Sequence, residues 1–116
     1  MTDPRGFLGA RVTVVVDRPL GSRHPRQGFI YPVNYGYVPD TLAPDGEPLD
    51  AYILGVFEPV ATFAGRCIGL IERRDDADPK LIVVPEGRAY SAAQFLALTE
   101  FQERFFHPVV ILAPPQ

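Results

Sequence analysis

Residues 19 to 48 contain six prolines. Each proline fixes φ and lacks a backbone N–H, so neither a helix nor a central strand can run through this stretch. A long irregular excursion with only short extended pieces is predicted there. Loops of this length in small domains tend to be functional. The stretch carries most of the chemistry-bearing residues noted below.

Around it the chain is ordinary globular material. It has 116 residues, 47% apolar and 22% charged, which fits one domain, spanning 1–116, with a real core. The net charge of −3 argues against a nucleic-acid surface, which needs a basic stripe. The single cysteine, Cys67, excludes an internal disulfide and reads as inert packing. No apolar run is long enough to span a bilayer, and the start MTDPRGFLGA lacks a signal-peptide core. A cytoplasmic protein without membrane contact is therefore expected.

Val12, Val14 and Val16 alternate with Arg11, Thr13 and Asp17, which predicts a strand over 11–17. Further strands are expected at 50–54, 62–74, 80–84 and 109–112. Gly65 and Gly69 mark bends or bulges in the second of these. Ser91 and Gln94 match a capping box and open the one convincing helix. Phe95, Leu98, Phe101 or Gln102, and Phe105 are read as its apolar face, with Glu100 and Glu103 away from it. Short strands bent by glycines, closed by one late helix, predict a small barrel with the helix over one opening.

Two acidic turns stand out. Asp45, Glu47 and Asp50 lie within six residues, around Gly46 and Pro48. Brought together, such carboxylates need a cation to offset their repulsion, and hard oxygen donors suit magnesium, or manganese in its place. The same residues also read as a solvated Asp-Gly turn. The second turn, 73–80, is RRDDADPK. There Asp78 can hold a metal while Lys80, two positions on, meets a phosphate oxygen; the alternative is a hydrophilic hairpin turn. Arg18, Arg23, His24 and Arg26 form a basic loop after the first strand, and arginine forks match phosphate. Tyr31, Tyr35 and Tyr37 read mainly as core aromatics.

At YPVNYGYV, DGEPLDA (45–51) and DDADPKLIVVP (75–85), the chain resembles the family I soluble inorganic pyrophosphatases. The likeness runs from the Val12 strand to Phe106. It implies a mainly β fold, an oligonucleotide/oligosaccharide-binding-like barrel with one C-terminal helix. It also implies magnesium-dependent hydrolysis of diphosphate in a homo-oligomer. Carried over by position, Asp45, Asp50, Asp75 and Asp78 are expected metal ligands. Glu47 stands where the family has an aspartate that helps to activate water. Lys80, Tyr35 and Arg23 fall on phosphate-contacting positions, and Asp17 falls near a supporting glutamate. Three departures are evident. The hairpin after the first strand is shortened and has no lysine, Val109-Val110 stands where a Tyr-Lys pair is expected, and Glu replaces Asp at 47. The metal half of the site is kept and the phosphate grip is thinned. Alternatives are therefore hydrolysis of a larger diphosphate-bearing metabolite, a non-catalytic phosphate-binding barrel, or an oligonucleotide-binding one.

Overall fold

The computed structural model describes residues 1–74 and 78–114. Among these described residues, six strands and one helix follow a short 3-10 turn at Pro4–Phe7. In chain order they are β1 (Arg11–Arg18), β2 (Asn34–Tyr37), β3 (Asp50–Ile53), β4 (Thr62–Arg73), β5 (Lys80–Val84), α1 (Ala92–Glu103) and β6 (Pro108–Leu112). The predicted strands and helix all form. β2 is the extended piece inside the proline-rich excursion, bounded by Pro32 and Pro39.

Antiparallel pairing joins β1 to β2, β2 to β3, β5 to β4 and β4 back to β1, while β3 and β5 run parallel. These pairings close a five-stranded mixed barrel, so the fold is mainly β, as expected. The length of β4 makes closure possible: its first half pairs β1 from Arg11↔Arg66 to Val15↔Thr62, and its second half pairs β6 from Gly69 to Arg73. The register slips between Cys67 and Gly69, so the bulge falls at one of the two anticipated glycines.

Strand periodicity sorts the core into two layers. Val12, Val14, Ala51, Ile53, Cys67, Leu70, Leu81 and Val83 point into the barrel. Tyr35, Tyr52, Leu54, Ile71, Ile82 and Val84 point outward and pack with Tyr31 and Phe95. Every residue of β5 is buried, as befits a strand covered on both faces. This outer layer corrects the expected position of α1. The helix lies against the barrel's flank, not over an opening. Gly69 makes room for it: a Cβ there would come 2.3 Å from Cε2 of Phe95.

The expected helical face is corrected too. The buried positions are Phe95, Thr99, Gln102 and Glu103, while Leu98 and Phe105 are exposed. The spacing is i, i+4, i+7, i+8, a regular helical stripe with polar residues on it. The reason lies opposite. The flank presents Tyr31, Tyr52 and Arg73, whose polar atoms must be satisfied once buried. The capping box forms as read: Ser91 Oγ accepts from the Gln94 N–H and Gln94 Oε1 from the Ser91 N–H.

Candidate active site

Strand register assembles the site. Asp50 pairs with Lys80 across the parallel β3–β5 ladder, and Ile71 pairs with Lys80 across β4–β5. Tyr35 pairs with Tyr52, two residues beyond Asp50. Side chains alternate along a strand, so Tyr35, Asp50, Arg73 and Lys80 all emerge on the outer, helix-covered face.

Lys80 is the hub. Its buried ammonium donates to Tyr35 OH at 2.7 Å, Asp50 Oδ2 at 2.5 Å and Asp78 Oδ2 at 2.9 Å. Asp78 Oδ2 also accepts from Arg73 Nη1 at 3.2 Å. Arg73 is held from behind by Glu103: Nε donates to Oε1 at 2.9 Å and Nη2 to Oε2 at 2.7 Å. Tyr52 OH donates to Glu103 Oε2 at 2.6 Å, Gln102 Nε2 donates to Tyr52 OH at 2.7 Å, and Tyr31 OH donates to Gln102 Oε1 at 3.1 Å. Among the described residues no buried side-chain polar atom is left without a partner. A buried ionic network tolerates no gap, because the lost solvation must be made good.

Burial raises the Asp50 pKa above its ordinary value of 3.8, opposed by the nearby Lys80 charge and reinforced by Asp78. Burial, with the Asp50 charge behind it, pushes the Tyr35 phenol well up, so it stays neutral and can donate. Burial also works against the charge on Arg73, but the Glu103 bonds and charge outweigh it and keep the guanidinium protonated.

The network forms one wall of a cleft of about 270 Å³. Asp17, Arg18 and Gln27 line its rim, together with Phe29, Phe105 and Phe106. A register shift between Val16 and Arg18 bulges the end of β1 there, and bulges re-aim side chains. A larger space of about 460 Å³ lies against the N-terminal residues and shares Arg73 and Asp78 with the cleft. It lacks Lys80 and Asp50, so the smaller cleft is the candidate site.

The structure thus brings Tyr35, Asp50, Asp78 and Lys80 together, and Asp17 lines the same cleft. Three others stand apart. Asp45 Oδ1 accepts from the Glu47 N–H at 3.0 Å, a local turn built on Gly46 at φ 86°. Asp45 and Glu47 are exposed and do not line the cleft. Arg23 Nη1 donates to the Gly28 carbonyl at 2.6 Å, and this exposed residue does not line the cleft either. Asp75 lies outside the described residues. Arg73, Gln102 and Glu103 were not anticipated. The 95, 99, 102, 103 spacing was the available signal for the last two. Val109 and Val110 serve the sheet, paired with Glu72 and Ile71. Burial pushes the Cys67 thiol up to about 11, which keeps it protonated and unreactive.

Oxygen donors dominate the cleft, which suits a magnesium ion over softer metals. Among the described residues, no three His, Cys, Asp or Glu groups are placed to hold an ion together. Magnesium, however, is often held by one or two carboxylates, its own waters and phosphate oxygens. Asp50 and Asp78, which share the Lys80 ammonium, fit that looser arrangement.

Fold and site together define a class of small, mainly β barrels, closed by five strands and flanked by one helix, with a lysine-centred, carboxylate-edged cleft on that flank. Comparison narrows this class. The inorganic pyrophosphatase family model matches residues 12–109, and the chain belongs to that family. The inorganic pyrophosphatase of Saccharolobus solfataricus is 43% identical over 79 residues, covering 65% of this chain and 43% of that protein. That of Methanosarcina acetivorans is 36% identical over 97 residues, covering 64% of this chain and 56% of that protein. The chain thus spans about half the length of these curated relatives. Among solved structures, an inorganic pyrophosphatase from Coxiella burnetii superposes with a TM-score of 0.58 at 28% identity, covering 86% of this chain and 83% of that one. One from Ehrlichia chaffeensis shares the fold, with a TM-score of 0.67 at 20% identity over 93% of this chain and 85% of that one.

Proposed function

We propose that the protein hydrolyses inorganic diphosphate to two phosphates with the help of magnesium. The observation that carries this reading is the Lys80 ammonium shared by Tyr35, Asp50 and Asp78 at the cleft wall, in a chain of this family. Lys80 and Arg18 offset the charge of the bound phosphates, and neutral Tyr35 donates to a phosphate oxygen. Such preset charges favour the transition state most, where negative charge gathers on the leaving phosphate. By the family resemblance, Glu47 takes the proton of the attacking water. The water oxygen bonds to phosphorus as the bridging P–O bond breaks, and the departing phosphate keeps that electron pair. Asp50 and Asp78 would hold magnesium together with phosphate oxygens, and the ion would supply Lewis-acid charge and lower the pKa of water there. For Asp45, Asp75, Glu47 and Arg23 the support is the family resemblance alone.

A second reading keeps the chemistry and enlarges the substrate. Phe29, Tyr31, Phe105 and Phe106 line the same cleft, so an apolar or aromatic arm attached to a diphosphate has a surface to lie on. Phosphate release from diphosphate, nucleoside diphosphates and prenyl diphosphates, with and without magnesium, separates the two. Preference for plain diphosphate by orders of magnitude supports the first reading. Preference for an ester supports the second, and inertness toward all of them contradicts both. A homo-oligomer in the cytoplasm remains part of the proposal, supported by the family and by Phe57, which is 81% exposed.

A further inference from the structure

The hairpin between β1 and β2 ends in a tip built on one imidazole. Its arms pair through the Arg23↔Ile30 bridge, with the Tyr31 N–H donating to the Ser22 carbonyl and the His24 N–H to the Phe29 carbonyl, both at 2.8 Å. At the tip, His24 Nδ1 accepts from two backbone N–H groups, Arg26 at 3.1 Å and Gln27 at 3.0 Å. The Gly28 N–H returns to the His24 carbonyl at 3.2 Å, and Gly28 at φ 78° lets the chain turn back. Gln27 and Phe29, so placed, line the cleft, while His24 itself does not. The imidazole is half-buried, its centroid 4.8 Å from that of Phe29 and 6.2 Å from that of Tyr31.

A neutral imidazole can accept at Nδ1, whereas the charged ring is a donor at both nitrogens. Protonation therefore sets a donor against the two N–H groups of the tip. The charges that bear on His24 are those of Arg18, at the end of β1, and Arg26, on the tip itself. The returning arm faces it with the Phe29 and Tyr31 rings, and the neighbouring Arg23 is bonded to the Gly28 carbonyl. Burial first, and then the two arginines, lower the His24 pKa below its ordinary 6.5, so the ring is neutral and the tip is made at neutral pH.

We propose that His24 is a positioning residue of the cleft rim: the neutral ring holds the tip 24–28, and with it Gln27, at the cleft, and the protonated ring lets the tip go. His24 acts through Gln27. The inference concerns the rim and stands whichever diphosphate the cleft takes.

Amide exchange read by ¹H–¹⁵N NMR between about pH 5 and pH 7.5, with the His24 ring followed in the same samples, tests it. Protection of the Arg26 and Gln27 amides, relative to the intrinsic rate at each pH, is expected to fall at least about tenfold toward acid, in one step that tracks the ring. His24→Asn is the informative variant, because its Oδ1 stands in for Nδ1 as acceptor and does not titrate. It is expected to keep both amides protected down to about pH 5. His24→Ala, without an acceptor, is expected to leave them unprotected even at neutral pH. Protection that persists in wild type after the ring is charged overturns the inference. So does His24→Asn losing protection in the same step, or His24→Ala keeping it.

Discussion

Asp50 shows how a single side chain in this cleft works against the fold that holds it. Burial raises its pKa above 3.8, so the native state binds the Asp50 proton more tightly than the unfolded chain does. Its contribution therefore favours the fold at low pH and is lost as pH rises through the raised value. Other carboxylates run the opposite way. Glu86, bonded by Arg66, has a lowered pKa and favours the fold as pH rises. The comparison that isolates Asp50 is wild type against Asp50→Asn in urea unfolding between about pH 4 and pH 7. The variant is expected to lose less stability, or gain more, on going to the higher pH, and to lose hydrolysis. Parallel pH profiles would remove Asp50 as a charge retained at the expense of stability. At this scale the sequence was informative where chemistry is local. Asp78 and Lys80 are two residues apart and stay together. Arg73 and Glu103, 30 residues apart, meet only because α1 packs on β4's outer face, and no spacing rule joins a strand end to a helix end. Asp45 illustrates the converse. Its Asp-Gly turn was one of two open readings, and the carboxylate bonds its own loop.

Among the elements, β2 is the one most tightly specified by a single residue. Gly36 sits where a Cβ would fall 1.9 Å from the Val15 carbonyl oxygen, so only a bare backbone lets β1 and β2 approach. Gly36→Ala must push the strands apart and is expected to cost about 1–3 kcal/mol or more. Because Tyr35 precedes Gly36, the shift also moves the hydroxyl bonded to Lys80. Denaturant midpoints and diphosphate turnover measured together check this. A variant with wild-type values of both would show that the ladder yields freely. The strands and the helix were readable because alternation, bulge glycines and a capping box are short-range signals. The register was not, since the parallel pairing of β3 with β5 depends on β4 running between them in sequence. Nor was the helix's buried stripe, whose polar members are explained only by Tyr31, Tyr52 and Arg73 opposite.

For the whole molecule, barrel closure places the catalytic candidates on an outer flank, where α1 and the proline-rich excursion wall in a cleft. The barrel interior is filled by Val, Leu, Ile, Ala and Cys and leaves the charged work to that flank. Large apolar side chains remain at the surface, among them Phe57, Ile30 and Leu112. Sedimentation velocity over a dilution series is expected to show a self-associated species whose dissociation exposes them. A single monomeric boundary at all concentrations would contradict it. The eight Phe and five Tyr of so small a barrel pointed to apolar surface at an interface, but not to which residues form it, because exposure follows from which face each strand turns outward.

The most direct test follows the ³¹P resonance of diphosphate with magnesium, in the presence of wild-type protein and of Lys80→Met. Wild type is expected to convert the signal wholly to inorganic phosphate, and Lys80→Met to do so slower by about a hundredfold or more. A diphosphate signal that wild type leaves unchanged across metals and pH, or that Lys80→Met consumes at the wild-type rate, would contradict the assignment of this cleft.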